Sequence, residues 1–238
     1  MNCRYCGAPL NPDVKFCSIC GRSVQDEAGG MPPVTPPADV PRTPPFLSAA
    51  DASAQTGRWI GAGWDLVKSD LLPFVLMALV FLVVNSCIPL VLQGPMMAGF
   101  HIACIRKLMA GRTEVGDLFK AFNRFGATLV AFLIITVFTS LASLLCLIPG
   151  LIVWGIYQFT FLFVVDKKMD FWPAMQASHA LVKKDYLGFT LFSLVLLLIN
   201  VAGALLCLVG LLLTVPLYYA AITAAYRDLV GFENKENF

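Results

Sequence analysis

The chain has 238 residues, of which 58% are hydrophobic and only 13% charged, with a formal net charge of +2 and a mean hydropathy of +0.76. So apolar a composition excludes an ordinary soluble domain, and so small a net charge gives no electrostatic reason to expect a nucleic-acid partner. A membrane protein is what remains.

The first element, over residues 1–24, reads as a zinc ribbon. Cys3-x-x-Cys6-Gly7 and Cys17-x-x-Cys20-Gly21 form two matching knuckles with ten residues between them. Four thiolates make a soft, tetrahedral donor set that structural Zn(II) prefers and hard cations reject. Glycine after each second cysteine permits a tight turn, so that main-chain amides face the sulfurs. Arg4, Lys15 and Arg22 offset part of the surplus negative charge. A redox pair would need a single C-x-x-C in an α/β pattern, and disulfides would need an oxidising compartment. No His or carboxylate stands beside the four cysteines as a further ligand, so the expected role of Zn(II) is structural.

Residues 25–56 follow as a linker. Gly29-Gly30, Pro32-Pro33, Pro36-Pro37, Pro41 and Pro44-Pro45 are interrupted by few bulky apolar residues. Such a segment cannot bury enough surface to offset chain entropy, and a semi-extended tether is expected.

The membrane domain is expected over residues 57–230, with a short tail over 231–238. Three stretches carry no Asp, Glu, Lys or Arg: Leu71 to Ile105, Phe125 to Val165 and Tyr186 to Tyr226. Each is roughly twice the ~20 residues that cross the hydrocarbon core as a helix, so each predicts a hairpin and the three predict six transmembrane helices. A repeat supports this. Cys87, Cys146 and Cys207 stand mid-stretch before Pro89, Pro149-Gly150 and Gly210, at spacings of 59 and 61 residues. Leu66-Val67-Lys68-Ser69-Asp70-Leu71-Leu72-Pro73-Phe74 is echoed by Leu181-Val182-Lys183-Lys184-Asp185-Tyr186-Leu187-Gly188-Phe189, with six of nine positions identical. The expected fold is an all-α polytopic membrane bundle of three parallel helical hairpins.

Short amphipathic helices are predicted before each hairpin. Trp59, Ile60, Gly63, Trp64 and Val67 mark the first, and Leu118, Phe119, Phe122 and Phe125 behind Asp117 mark the second. The third has Asp170 as its cap and Pro173 in its first turn. The alternative is that these are extensions of the spans. The connectors between hairpins hold Arg106, Lys107, Arg112, Lys120 and Arg124, then Lys167, Lys168, Lys183 and Lys184, whereas the mid-hairpin turns hold no charge. The positive-inside rule then places connectors and both termini in the cytoplasm of a cell whose inner membrane holds the spans. Met1 runs into the ribbon without an apolar signal segment, which agrees with that placement.

The N-terminal pattern Cys3-Arg4-Tyr5-Cys6-Gly7-Ala8 with Phe16-Cys17-Ser18-Ile19-Cys20-Gly21 resembles the short ribbons heading many bacterial membrane proteins. The remainder is similar to a family of six-span bacterial membrane proteins related to the membrane domain fused to some glycerophosphodiester phosphodiesterases. Asp117-Leu118-Phe119 with Phe122, Pro149-Gly150, Ala177-Ser178 to Val182-Lys183, and Pro216 followed by Tyr226 carry that resemblance. It implies a fold and a location. It implies no chemistry, because no phosphodiesterase domain is present.

An enzyme is not expected, and neither catalytic nor organic-cofactor-binding residues are assigned. His101 has no carboxylate near it in sequence, and it reads as a hydrogen bonder between helices. Ion coupling usually places Asp, Glu, Lys or Arg at membrane depth, where this chain has none. Asn85, Gln93, Gln158 and Asn200 either join helices or line a path. Two functions follow as expectations. The first is a scaffold or accessory protein whose tethered cytoplasmic ribbon recruits a protein partner, with the ribbon's basic patch too small for nucleic acid. The alternative is a passive channel or carrier for apolar or lipid-like molecules. Beyond the lipid bilayer and that partner, self-association as a homo-oligomer stays open. A polar cavity among the hairpins would favour transport, and a close-packed interior would favour anchoring.

Overall fold

The structure, a computed structural model, describes residues 53–87, 90–145, 147–206 and 209–232. Cys3, Cys6, Cys17 and Cys20 of the expected ribbon, the linker up to residue 52, Pro89, Cys146, Cys207 and the tail from residue 233 lie outside the described residues. Of Cys87 only the backbone is described.

Lipid offers a peptide group no hydrogen-bond partner, so a charge-free stretch satisfies its own N–H and C=O groups by coiling into helix. Each of the three stretches does so, breaking near its predicted turn, and the second breaks once more, between Tyr157 and Thr160. Helix α1 (Thr56–Ser69) leads into α2 (Leu71–Cys87) and α3 (Gln93–Ala110). A 3₁₀ segment (Val115–Arg124) runs into α4 (Phe125–Leu145), followed by α5 (Leu147–Tyr157) and α6 (Thr160–Asp166). Then α7 (Phe171–Val182) precedes α8 (Tyr186–Leu205) and α9 (Leu211–Leu229). Among the described residues there is no strand.

Three of these helical runs are long and apolar enough to cross a bilayer, namely Val115–Leu144, Ile148–Asp166 and Tyr186–Leu205, and the bent pair α1 and α2 would make a fourth. Length and composition therefore meet the expectation of six crossings only in part. The reason lies in three helices. Helix α2 is strongly apolar but only 17 residues long. Helices α3 and α9 each bury twelve residues, many of them Gly, Ala, Thr and Tyr, and so trade hydropathy for close packing. They form the interior, while α2, α4 and α8 turn Leu72, Leu79, Val137, Leu144, Leu187 and Leu198 outward. Exposed leucines in such number would drive aggregation in water, but lipid chains solvate them.

Helix α1 does not continue α2 in line, for the two meet at 99°. Its buried Trp59, Gly63, Leu66 and Val67 fall on one face and lie along α9. At Gly63 the two backbones come so close that a Cβ would sit 2.7 Å from Ala221 N. Asp170 caps α7, accepting from Phe171 N–H at 2.8 Å, as the sequence predicts. The nine-residue echo occupies two like junctions: Asp70 separates α1 from α2, and Asp185 separates α7 from α8. Leu66, Val67 and Phe74 are buried in one copy, and Leu181, Val182 and Phe189 in the other.

Candidate functional site

Toward the uncharged turns a space opens between the three hairpins. Between α2, α3, α4, α5, α8 and α9 lies a cavity of about 420 Å³. Phe81, Leu151, Leu194, Leu197 and Val215 supply an apolar wall, and Gln93, Thr139, Ser143, Ser193 and Asn200 bring polar groups to it. Asn200 returns one amide hydrogen to Leu196 O, at 3.0 Å. Ser193 Oγ lies 3.0 Å from Phe189 O and 3.1 Å from Gln158 Oε1. Thr139 Oγ1 and Gln158 Nε2 are buried without a hydrogen-bond partner. A buried polar atom left unpaired costs about 1–3 kcal/mol, so each marks a place where a polar atom of a ligand or a water is favoured.

At its inner end the cavity meets a constriction enclosing only about 10 Å³, lined by Trp154, Gln158, His101, Tyr218 and Tyr219. Trp154 Nε1 donates to Tyr218 Oη at 2.9 Å, tying α5 to α9. Tyr219 stacks on Phe100, with ring centroids 4.8 Å apart, and takes the edge of the His101 ring at 5.2 Å. Thr223 Oγ1 spends its single proton on Tyr219 O at 2.8 Å, so His101 Nδ1, 2.9 Å away, is the donor between them. That assigns the tautomer from hydrogen-bond supply alone. The space holds about one water at most.

Beyond the constriction the charged end is laced with ion pairs. Arg106 donates to Asp117 Oδ1 at 2.5 Å, Lys120 lies 3.0 Å from the same oxygen, and Glu114 N–H donates to Oδ2 at 3.0 Å. Burial pulls the Asp117 carboxyl upward, but these hydrogen bonds and the Lys120 charge outweigh it and hold the group below the usual carboxylate range. Lys107 pairs with Asp70, joining α3 to the junction of α1 and α2. Asp228 binds Arg58 at 2.5 Å and accepts from Trp59 Nε1 at 3.2 Å, fastening α1 to the end of α9. Burial raises the Asp228 carboxyl, and the arginines Arg58 and Arg227 more than reverse that, leaving it lowered.

Residues 2–24 match the zinc-ribbon domain family. The match spans both cysteine pairs and implies zinc binding by this segment, and the all-thiol donor set fits that ion. Uncharacterised proteins of Mycobacterium bovis and of two strains of Mycobacterium tuberculosis are each 32% identical to the chain over 136 residues. That alignment covers 57% of this chain but only 42% of each relative, so the chain spans less than half the length of the curated relatives it matches. No solved structure matches.

The polar residues singled out from sequence divide in space. Gln93 and Asn200 line the cavity and Gln158 the constriction. Asn85 does not join them; its Nδ2 donates to Phe81 O at 2.9 Å, one helical turn back. His101 bridges α3 and α9, and His179 Nε2 lies 2.7 Å from Tyr186 Oη on another part of the protein. Sequence reasoning did not name Thr139, Ser143, Ser193, Trp154 or Tyr218. Residues of these types are common in spans, and only the packing of four helices, α4, α5, α8 and α9, brings these five to one space. Among the described residues no group of three His, Cys, Asp or Glu could hold a metal.

Proposed function

We propose that residues 57–230 form a six-crossing membrane domain which takes one lipid-like molecule into the cavity between its hairpins, as a passive carrier. We further propose that the ribbon, with Cys3, Cys6, Cys17 and Cys20 around one structural Zn(II), recruits a cytoplasmic protein to that domain. The observation that carries the first reading is the cavity itself. Its volume of about 420 Å³ falls within the ~300–1,000 Å³ of small-molecule sites, and an apolar wall with a few convergent polar groups is what an amphiphile requires. The lining contains serines but no His, Cys, Asp, Glu, Lys or Arg to activate one or to couple an ion, which supports a holder over a catalyst or a pump. The Trp154–Tyr218 bond supports alternating release over an open pore, since a continuous channel would need this contact broken.

The scaffold reading retains support from the ribbon, which the cavity does not explain. Both parts are testable in the full chain. In proteoliposomes, movement of a fluorescent single-chain lipid between leaflets should rise over protein-free vesicles, and Ser193→Phe, which fills the cavity, should abolish the excess. Transport unchanged by Ser193→Phe would remove the carrier reading. Capture of a defined cytoplasmic partner by the full chain, lost together with bound zinc in Cys17→Ser, would support recruitment. Loss of zinc with no loss of capture would remove it.

A further inference from the structure

At the opposite end from the carrier cavity, a second opening of about 410 Å³ lies between α3, the 3₁₀ segment and the end of α6. Ile102, Ala121 and Val165 form its apolar floor, and Lys120, Asn123, Arg124 and Lys168 stand around it. Asp166 is its one carboxylate, and that group is already engaged: Tyr226 Oη donates to it at 3.0 Å and Lys167 lies 3.5 Å away. Lys120 is held by Asp117, but neither Arg124 nor Lys168 has a carboxylate within ion-pair distance among the described residues. Most other cations of this end do, including Arg106 and Lys107. Lys168 also adopts left-handed backbone, with φ 52°, a conformation non-glycine residues hold only where the surroundings enforce it.

Two cations with no carboxylate partner among the described residues, a neutral amide and an apolar floor form a site for a compact anion with three or four acceptor oxygens. The depth narrows the choice. Phe119 and Trp172, exposed at 47% and 51%, lie in the segments flanking this end, and such aromatic side chains favour the headgroup level of a bilayer. We propose that this cleft binds the phosphate of an anionic phospholipid headgroup, with Arg124 and Lys168 as the cationic partners and Asn123 as a neutral donor.

The proposal stands independently of the carrier reading, because it concerns a different opening. Its test uses the full chain in neutral detergent, with intrinsic tryptophan fluorescence and melting temperature followed during titration with short-chain phosphatidylglycerol, short-chain phosphatidylcholine and inorganic phosphate. Phosphatidylglycerol should bind more tightly than phosphatidylcholine, and Arg124→Gln and Lys168→Gln should each weaken it about fivefold, as expected for about 1 kcal/mol per cation at a membrane surface. Arg112→Gln with Lys183→Gln, cations outside the cleft, should leave it unchanged. Arg124→Lys and Lys168→Arg keep the charge and should retain binding, which separates ligand loss from misfolding. Inorganic phosphate competing at concentrations comparable to the lipid would assign the site to a soluble phosphate, and competition only in large excess would assign it to the lipid. Equal binding of both lipids, or equal losses in cleft and control variants, would overturn the proposal.

Discussion

Asp117 is a single carboxylate on which one end of the molecule depends. It is 1% exposed and gathers Arg106, Lys120 and the Glu114 N–H. Replacing it by Asn leaves two cations competing for a neutral amide, and the loss should be about 2–3 kcal/mol, below that of a fully buried pair because Lys120 reaches water. Chemical denaturation in detergent would measure it, and Asp65→Asn provides the contrast, since the exposed Asp65–Lys68 pair should contribute almost nothing. The pH dependence has a definite sign. Because the folded carboxyl lies below its unfolded value of about 3.9, its stabilisation is complete above that pH and is lost as pH falls through the folded value. Asp117→Asn should therefore flatten the acid limb of the stability profile. Sequence marked Asp117 as the start of an amphipathic segment but gave no sign of Arg106 as its partner. That pairing requires the chain to reverse at Gly111, whose φ of 72° is a fact of backbone geometry.

Among the elements, the connector before α4 goes furthest beyond its sequence reading. The amphipathic pattern predicts a short helix without fixing its type, and the chain forms 3₁₀ helix, with Leu118 and Ala121 buried three residues apart as suits that tighter coil. Gly99 shows why this segment sits so close to α3: a Cβ there would lie 2.7 Å from the Leu118 carbonyl carbon and 2.9 Å from its Cα. Gly99→Ala should cost about 2 kcal/mol or more, because the new Cβ would run into the Leu118 carbonyl oxygen and the atoms that must yield are backbone, which outweighs the helix-propensity gain of about 1 kcal/mol. Gly61→Ala, on α1 with nothing within 4 Å, should be neutral or stabilising by up to about 1 kcal/mol. Melting temperatures of the two variants would separate packing from propensity. The helix pairs, their breaks and the Asp170 cap were legible because charge-free runs, Pro and Gly act locally. The choice between α and 3₁₀ was not, since a neighbour's backbone decides it.

For the molecule as a whole, the proposed six crossings place every connector on one side. Reporter fusions after Gly111, Lys168 and Phe232 should therefore agree with one another, and those after Leu90 and Val209 should report the opposite side. An odd number of crossings between Gly111 and Phe232, seen as disagreement between the first and last of those fusions, or agreement of the Leu90 fusion with the Gly111 fusion, would overturn the proposed topology. The cavity was only half legible: Gln93 and Asn200 could be named from sequence, but the serines and threonines that complete it come from different hairpins. One further consequence lies in how α1 is seated. It lies across the bundle at 99° to α2, and Arg58, Trp59 and Gly63 fix it to α9 at Asp228 and Ala221. Helix α9 also carries Val215, Tyr218 and Tyr219 to the cavity, and Tyr218 and Tyr219 to the small space beside it. A mechanical load on the chain ahead of residue 56 thus meets two anchors in turn, the Ala54 N–H bond to Asp185 Oδ2 at 3.0 Å, where α8 begins, and then α1 itself, moored to the helix that walls the cavity.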